Sequence, residues 1–297
     1  MNNNADKPDS RSKLSSLFSV LEKQFSQDDT LFHSSSVEHL KGYDDILSYL
    51  ASRGEAHYHY KHYVTRARAL SILENNAIFL TDGSKWNDTF DREHFNPKFL
   101  TTKRFGTCFS ASSEESIAMW MLYGGTDGNG AMIDFDRQTL TSAMQRESFE
   151  CGTINDLGEF TVITTLPASK VQLDLVDILY FKTGKTNKVE IGRSSLKGGL
   201  YKLSTDIFPS IKQLVKHRSW SYENEVRLVA TISKLDLEGN ASRIKCIKIP
   251  LDLDRMFIEN RFFDSPVSDD GGCFRESELS GTVEWNLCSS CHKIDNP

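Results

Sequence analysis

Long apolar runs are what this 297-residue chain most lacks. Its uninterrupted apolar stretches, such as Ala77-Ile-Phe-Leu80 and Ile178-Leu-Tyr-Phe181, are too short to cross a bilayer, so no membrane partner is expected. Positive charge is also in deficit. A net charge of -6 and an isoelectric point near 5.8 exclude a chain drawn bodily to nucleic acid, while leaving room for a local basic groove. The opening Met1-Asn-Asn-Asn-Ala-Asp6 lacks the basic-then-apolar order of a secretory leader. A cytoplasmic location is therefore expected, with the six cysteines as thiols. No G-x-S-x-G elbow, P-loop, H-E-x-x-H or dinucleotide glycine fingerprint occurs. Gly124-Gly125 with Gly128 and Gly130 has the composition of a phosphate loop, but it follows a helical pattern and precedes a strand. The helix N-terminus that would hold phosphate is missing, and a plain loop is predicted.

Metal ligands are thin as well. Cys288-Ser-Ser-Cys291-His292 could be half of a zinc clip, with Cys273 to help, or a redox pair; a tail of reduced cysteines is the expectation. His57, His59 and His62 cluster in sequence, yet on a strand only His57 and His59 share a face. No metal is expected.

What is present describes a soluble globular protein: 38% hydrophobic, 10% aromatic and 26% charged residues, enough for one large domain with appendages. Residues 1–10 read as disordered. Apolar stripes at helical spacing over 11–27 (Leu14, Leu17, Phe18, Leu21, Phe25) and 37–53 (Leu40, Tyr43, Ile46, Leu47, Leu50) predict a helical addition over 11–55. The main domain is expected over 56–262 and a flexible tail over 263–297. Within the domain, strands are predicted at 56–62, 77–80, 107–110, 131–135, 171–181 (one strand or two), 220–230 and 244–249. Helices are predicted at 64–76, 113–123 and 200–217, with a turn-rich stretch at 81–91. Short strands that outnumber helices without alternating with them favour an α+β fold.

The richest segment is Trp220-Ser-Tyr-Glu-Asn-Glu-Val-Arg-Leu-Val-Ala230. Strand alternation puts Glu223, Glu225 and Arg227 on one face and Tyr222, Val226 and Leu228 on the other. A wet, salt-bridged face is one reading of that charged row. The other is a site. A histidine (His59), turn groups (Asn87, Asp88), hydroxyls (Ser110, Tyr123) and a carboxylate (Glu225) suit glycosidic cleavage through an oxocarbenium-like transition state, without a covalent intermediate. Between residues 182 and 202, Lys182, Lys185, Lys188, Arg193, Lys197 and Lys202 face only one acid, Glu190, and glycines lie among them. This stretch could contact a phosphate backbone, or be a solvated lysine-rich loop.

Several blocks fall in order: Tyr58-His-Tyr60, Leu70-Ser-Ile-Leu-Glu-Asn75, Phe79-Leu-Thr-Asp82, Trp86-Asn-Asp-Thr-Phe90, Cys108-Phe-Ser110, Met119-Trp-Met-Leu-Tyr-Gly124, Gly130-Ala-Met-Ile-Asp-Phe135 and Trp220-x-Tyr-Glu-x-Glu-x-Arg-Leu228. Across about 56–250 they resemble a bacterial domain-of-unknown-function family, number twenty-nine seventy-one. The opening Tyr-His-Tyr with its Ser-Ile-Leu-Glu-Asn helix, and the closing Glu225-Val-Arg-Leu-Val229, are also similar to DarT-like ADP-ribosyltransferases. Glu223 and Glu225 resemble the Glu-x-Glu pattern of arginine-modifying ADP-ribosyltransferases. No DarT-like substrate loop precedes Glu225, and the Trp86 and Met119 blocks have no counterpart there.

The resemblance implies a split mixed or antiparallel sheet of ADP-ribosyltransferase type, with NAD as substrate. Glu225, Glu223 and Tyr123 would be catalytic. His59, Tyr60, Asn87, Asp88, Ser110, Trp120 and Arg227 would bind NAD, and Lys185, Lys188 and Arg193 would hold a nucleic-acid acceptor. A toxin or phage-defence role would follow, with an antitoxin or chaperone on the N-terminal helices. Transfer to protein, and a non-catalytic binding or sensor module, stay open as alternatives.

Overall fold

The computed structural model describes residues 43–124, 128–155, 158–182, 188–190, 200–202, 212–266 and 274–280. The expected helix over 11–27, the basic residues Lys185 and Arg193, and the Cys288–His292 group lie outside the described residues, as does the first part of the helix expected over 37–53. Its remainder is helix α1 (Tyr43–Gly54).

A long antiparallel sheet carries the domain. Its centre is β3 (Thr102–Ser110), which pairs along one whole edge with β12 (Glu225–Ser233), nine residues in register; β12 in turn pairs with β7 (Val171–Asp177). The other edge of β3 divides. At one end Ser110 meets Lys61 of β1 (His59–Thr65), and further along Gly106 meets Thr81 of β2 (Ala77–Thr81). From β1 the sheet continues through β4 (Gly130–Asp136) to β14 (Phe262–Asp264); from β2 it continues through β13 (Cys246–Pro250) to β5 (Ser148–Ile154) and β6 (Phe160–Pro167). The fold is thus α+β, largely antiparallel, with the sheet split at β3.

Alternation decides what each face does. On one face Tyr60, Phe105, Phe109, Phe135, Val226, Leu228 and Ala230 form the main core. It is closed by α2 (Arg66–Asn75), through Ala69 and Ile72, and by α5 (Arg137–Ala143), through Leu140 and Ala143. Local chemistry fixes these helices. Thr65 caps α2 by accepting from Arg68 N, Asn76 ends it in the left-handed region, and Asp136 caps α5 through Thr139 N. The second face has two smaller covers. Over β1 and β4 lies α4 (Ile117–Tyr123), which packs Met119 and Trp120 on Tyr63, Met132 and Phe263. Over β3 lies α3 (Thr89–Phe95), whose Phe95 ring sits 2.9 Å from where a Cβ on Gly106 would stand.

Several sequence expectations change. The stretch read as turns at 81–91 ends in α3. The β5–β6 hairpin was not foreseen, because Thr, Gly and charged residues dilute its alternation. In place of a helix over 200–217, its two ends are strands: β10 (Leu200–Lys202), and β11 (Val215–His217), which runs parallel to β8 (Leu179–Lys182). The ordered chain also passes residue 262, since β14 pairs with β4 and Phe263 bridges to Arg275. Among the described residues no helix is long and apolar enough to cross a membrane.

Candidate functional site

The second face of the sheet is polar where its two helical covers leave a gap. Register places Lys61, Ser110 and Glu225 side by side on β1, β3 and β12, with His59 two positions along β1. β12 begins at Glu225 rather than at Trp220. Residues 218–223 form a short 3-10 turn, and Asn224 (φ 47°) takes the left-handed conformation that joins it to the strand. Glu223 therefore folds back beside Glu225 instead of continuing a row.

The row read as a wet edge is buried. Glu223, Glu225 and Arg227 are 2%, 3% and 0% exposed; the last two lie on a strand paired along both edges and covered by α3 and residues 212–223. Arg227 donates from Nε to Glu225 Oε1 at 2.5 Å, from Nη2 to Asp91 Oδ2 at 2.7 Å and from Nη1 to the Gln213 carbonyl at 3.0 Å. The Trp86 ring lies 5.2 Å from its guanidinium carbon. Lys216, on β11, donates to Glu223 at 2.6 Å and lies 2.8 Å from Glu225 Oε2. Tyr123 donates to Glu223 Oε1 at 2.6 Å, and the Tyr180 hydroxyl accepts from Glu225 N at 2.9 Å. Asp91, Gln213, Lys216 and Tyr180 escaped the sequence reading. The one local hint was Asp91, an acid in the first turn of α3.

Electrostatics sorts the three acids. Burial alone would push Glu225 up, but Arg227 and Lys216 outweigh it and hold its carboxyl well below the usual range. Burial and the Glu225 charge raise Glu223; burial chiefly raises Asp91. The network favours the anion at Glu225 and raises the proton affinity of its two neighbours. Asp91 Oδ1 and Ser110 Oγ are buried without a hydrogen-bond partner among the described residues.

His59 belongs to an open cleft of about 250 Å³ on the same face, lined also by Lys61, Asp134, Glu115, Arg261 and Arg275. Its Nδ1 pairs with Asp134 Oδ2 at 2.9 Å, while Asp134 Oδ1 is buried with no hydrogen-bond partner among the described residues. Lys61 closes the side toward Glu225, donating to the carbonyls of Ser112, at 3.1 Å, and Ser113; burial lowers its pKa. The part-exposed imidazole of His59, oriented by Asp134, is a group that could hydrogen-bond a sugar hydroxyl.

Other expected NAD ligands sit elsewhere. Tyr60 is on the opposite face, in the core, donating to the Gly54 carbonyl at 2.8 Å. Asp88 caps α3 through Phe90 N, and Asn87 is exposed beside it. Trp120 is 1% exposed, donating to Glu115 at 2.8 Å. Arg227 has its Nε, Nη1 and Nη2 committed to protein groups. His57 and His59 point apart, His57 to Asp177 at 2.8 Å, because the strand starts only at His59. Lys188 is on β9 (Lys188–Glu190). Among the described residues no three potential ligands group around a metal site.

A family model described as protein of unknown function (DUF2971) matches residues 119–228, from α4 through Tyr123, Lys216 and Glu223 to Leu228 of β12. No curated protein matches, and no solved structure matches.

Proposed function

We propose that this chain is an NAD-dependent ADP-ribosyltransferase. One observation carries the reading: His59, Ser110 and Glu225 come from three adjacent strands and share one face, with Lys61, Ser110 and Glu225 in direct register. The His59–Asp134 cleft would hold ribose hydroxyls. The bond from the nicotinamide nitrogen to the ribose C1′ breaks with its electron pair leaving on nicotinamide, and Glu225, its carboxyl held below the usual range by Arg227 and Lys216, stabilises the positive charge left on the sugar. Glu223, with its raised proton affinity and its Tyr123 hydrogen bond, suits the group that takes the acceptor's proton as the acceptor attacks C1′. Nucleic acid as acceptor rests on the basic stretch around Lys185, Lys188 and Arg193. The role as a toxin or phage-defence effector in the cytoplasm, with a neutralising antitoxin or chaperone, rests on the resemblance alone. Incubation with labelled NAD and a lysate should label an acceptor, and Glu225→Gln should reduce labelling about 100- to 1,000-fold. Equal labelling by the two proteins overturns the reading.

The burial of Glu225 favours a second reading, in which the ion network only spaces α3 and residues 212–223 from the sheet in a non-catalytic binding module. A ligand at 100-fold its dissociation constant adds about 2.7 kcal/mol of stability. A melting temperature that stays flat across millimolar NAD selects this second reading.

A further inference from the structure

Lys216 is the buried charge that the proposed chemistry leaves unused. Its ammonium lies 2.6 Å from Glu223 Oε2, 2.8 Å from Glu225 Oε2 and 3.7 Å from Asp91 Oδ2, and 5.3 Å from the centre of the Trp220 ring. Carboxylates on one side and an aromatic face on another are how proteins hold small organic cations. Three carboxyl groups surround Lys216 and Arg227, and Asp91, 3% exposed, keeps one oxygen without a partner among the described residues. Arg227 sits within the central strand β12 and is fixed by three partners. Lys216, by contrast, rides on β11, a three-residue strand paired to β8 at only three positions. Of the two cations, it is the one that can leave.

We propose that Glu223, Glu225, Asp91 and Trp220 form an organic-cation site that the chain fills with its own Lys216. A planar pyridinium would enter by displacing that ammonium. The described form is then self-occluded, and Glu225 becomes available only when β11 carries the Lys216 ammonium out from between the carboxylates and Trp220. This rests on the transferase reading for the choice of a pyridinium; the cation site itself stands on the geometry.

The test uses the full wild-type chain with 1-methylnicotinamide, a cationic pyridinium, and neutral nicotinamide as control. Pulsed acetylation read by peptide mass spectrometry should label Lys216 about fivefold faster with the cation, because the ligand shifts the population toward the displaced state. Nicotinamide should leave the rate unchanged. Lys216→Met, shown to unfold cooperatively, should bind 1-methylnicotinamide about tenfold tighter by tryptophan fluorescence, since no internal ammonium competes. Unchanged or slower Lys216 labelling in the wild type overturns the proposal whether or not the variant folds, and so does unimproved binding by a folded variant. Faster labelling without NAD consumption would keep the cation site and remove the transferase reading. NAD consumption that depends on Glu225, without faster labelling, would do the reverse.

Discussion

Arg227 holds both carboxylate oxygens of Glu225 from two positions along the same strand, Nε 2.5 Å from Oε1 and Nη2 3.3 Å from Oε2. Because residues i and i+2 share a face, the pair is set by the strand itself, before any other element arrives. What α3 and residues 212–223 add is desolvation, together with Asp91 and Lys216. Desolvation makes the pair a fixed charge rather than a surface ion pair of small consequence.

Arg227→Met should therefore cost about 3–5 kcal/mol, read as a lower urea midpoint, because it leaves Glu225 and Asp91 buried with Lys216 as the only cation. Arg227→Lys should recover only a minor part, since a single ammonium cannot span Glu225, Asp91 and the Gln213 carbonyl together. A midpoint within about 0.5 kcal/mol of wild type for Arg227→Met contradicts the buried network.

Stability should depend on pH in two opposed ways. The carboxyl of Glu225 is held below its ordinary value of 4.5, so the folded state releases its proton more readily. That contribution is full above pH 4.5 and is lost as pH falls toward the folded value. Glu223 and Asp91 are raised above 4.5 and 3.8, so the folded state binds their protons more tightly, and stability falls as pH rises through and beyond those values. Urea midpoints from pH 3 upward should show Glu225→Gln flattening the acid limb and Glu223→Gln flattening the fall on the other side. The opposite assignment of the two limbs would contradict the charge order.

Tyr123→Phe removes the hydroxyl that donates to Glu223 Oε1 at 2.6 Å. It should cost about 0.5–1.5 kcal/mol. That hydrogen bond favours the ionised carboxylate, so its loss should also move the Glu223 limb of the stability profile to higher pH. A shift to lower pH would mean that Tyr123 accepts from a protonated Glu223 instead.

Gly130 tests the loop between α4 and β4. A Cβ there would fall 1.2 Å from the Gly124 carbonyl oxygen, so Gly130→Ala must separate two backbone segments and should cost about 3 kcal/mol or more. At Gly239 (φ 78°) nothing lies within 4 Å of the added Cβ, and Gly239→Ala should cost only the backbone strain, about 1–2 kcal/mol. Equal losses in thermal melts would show that close packing is not what selects Gly130.

Much of this protein was legible from its sequence, for a local reason. Period-2 alternation fixes that Glu225 and Arg227 share one face and that Val226 and Leu228 take the other, and both hold. The helix expected over 64–76 from its apolar spacing forms at 66–75, and strands outnumber helices as the short runs imply. Whether the charged face met water could not be read. That depended on Asp91, brought to Arg227 from 136 positions away, and on Lys216, whose segment reads as helix by spacing but pairs as a strand on β8. Glu223 and Glu225 likewise kept their expected proximity by an unexpected route, a left-handed Asn224 instead of a continued strand. Alternation is a property of neighbouring residues and is fixed by backbone sterics. Burial is decided by which distant elements cover a face, and only the tertiary structure turned a charged strand into an enclosed ion network.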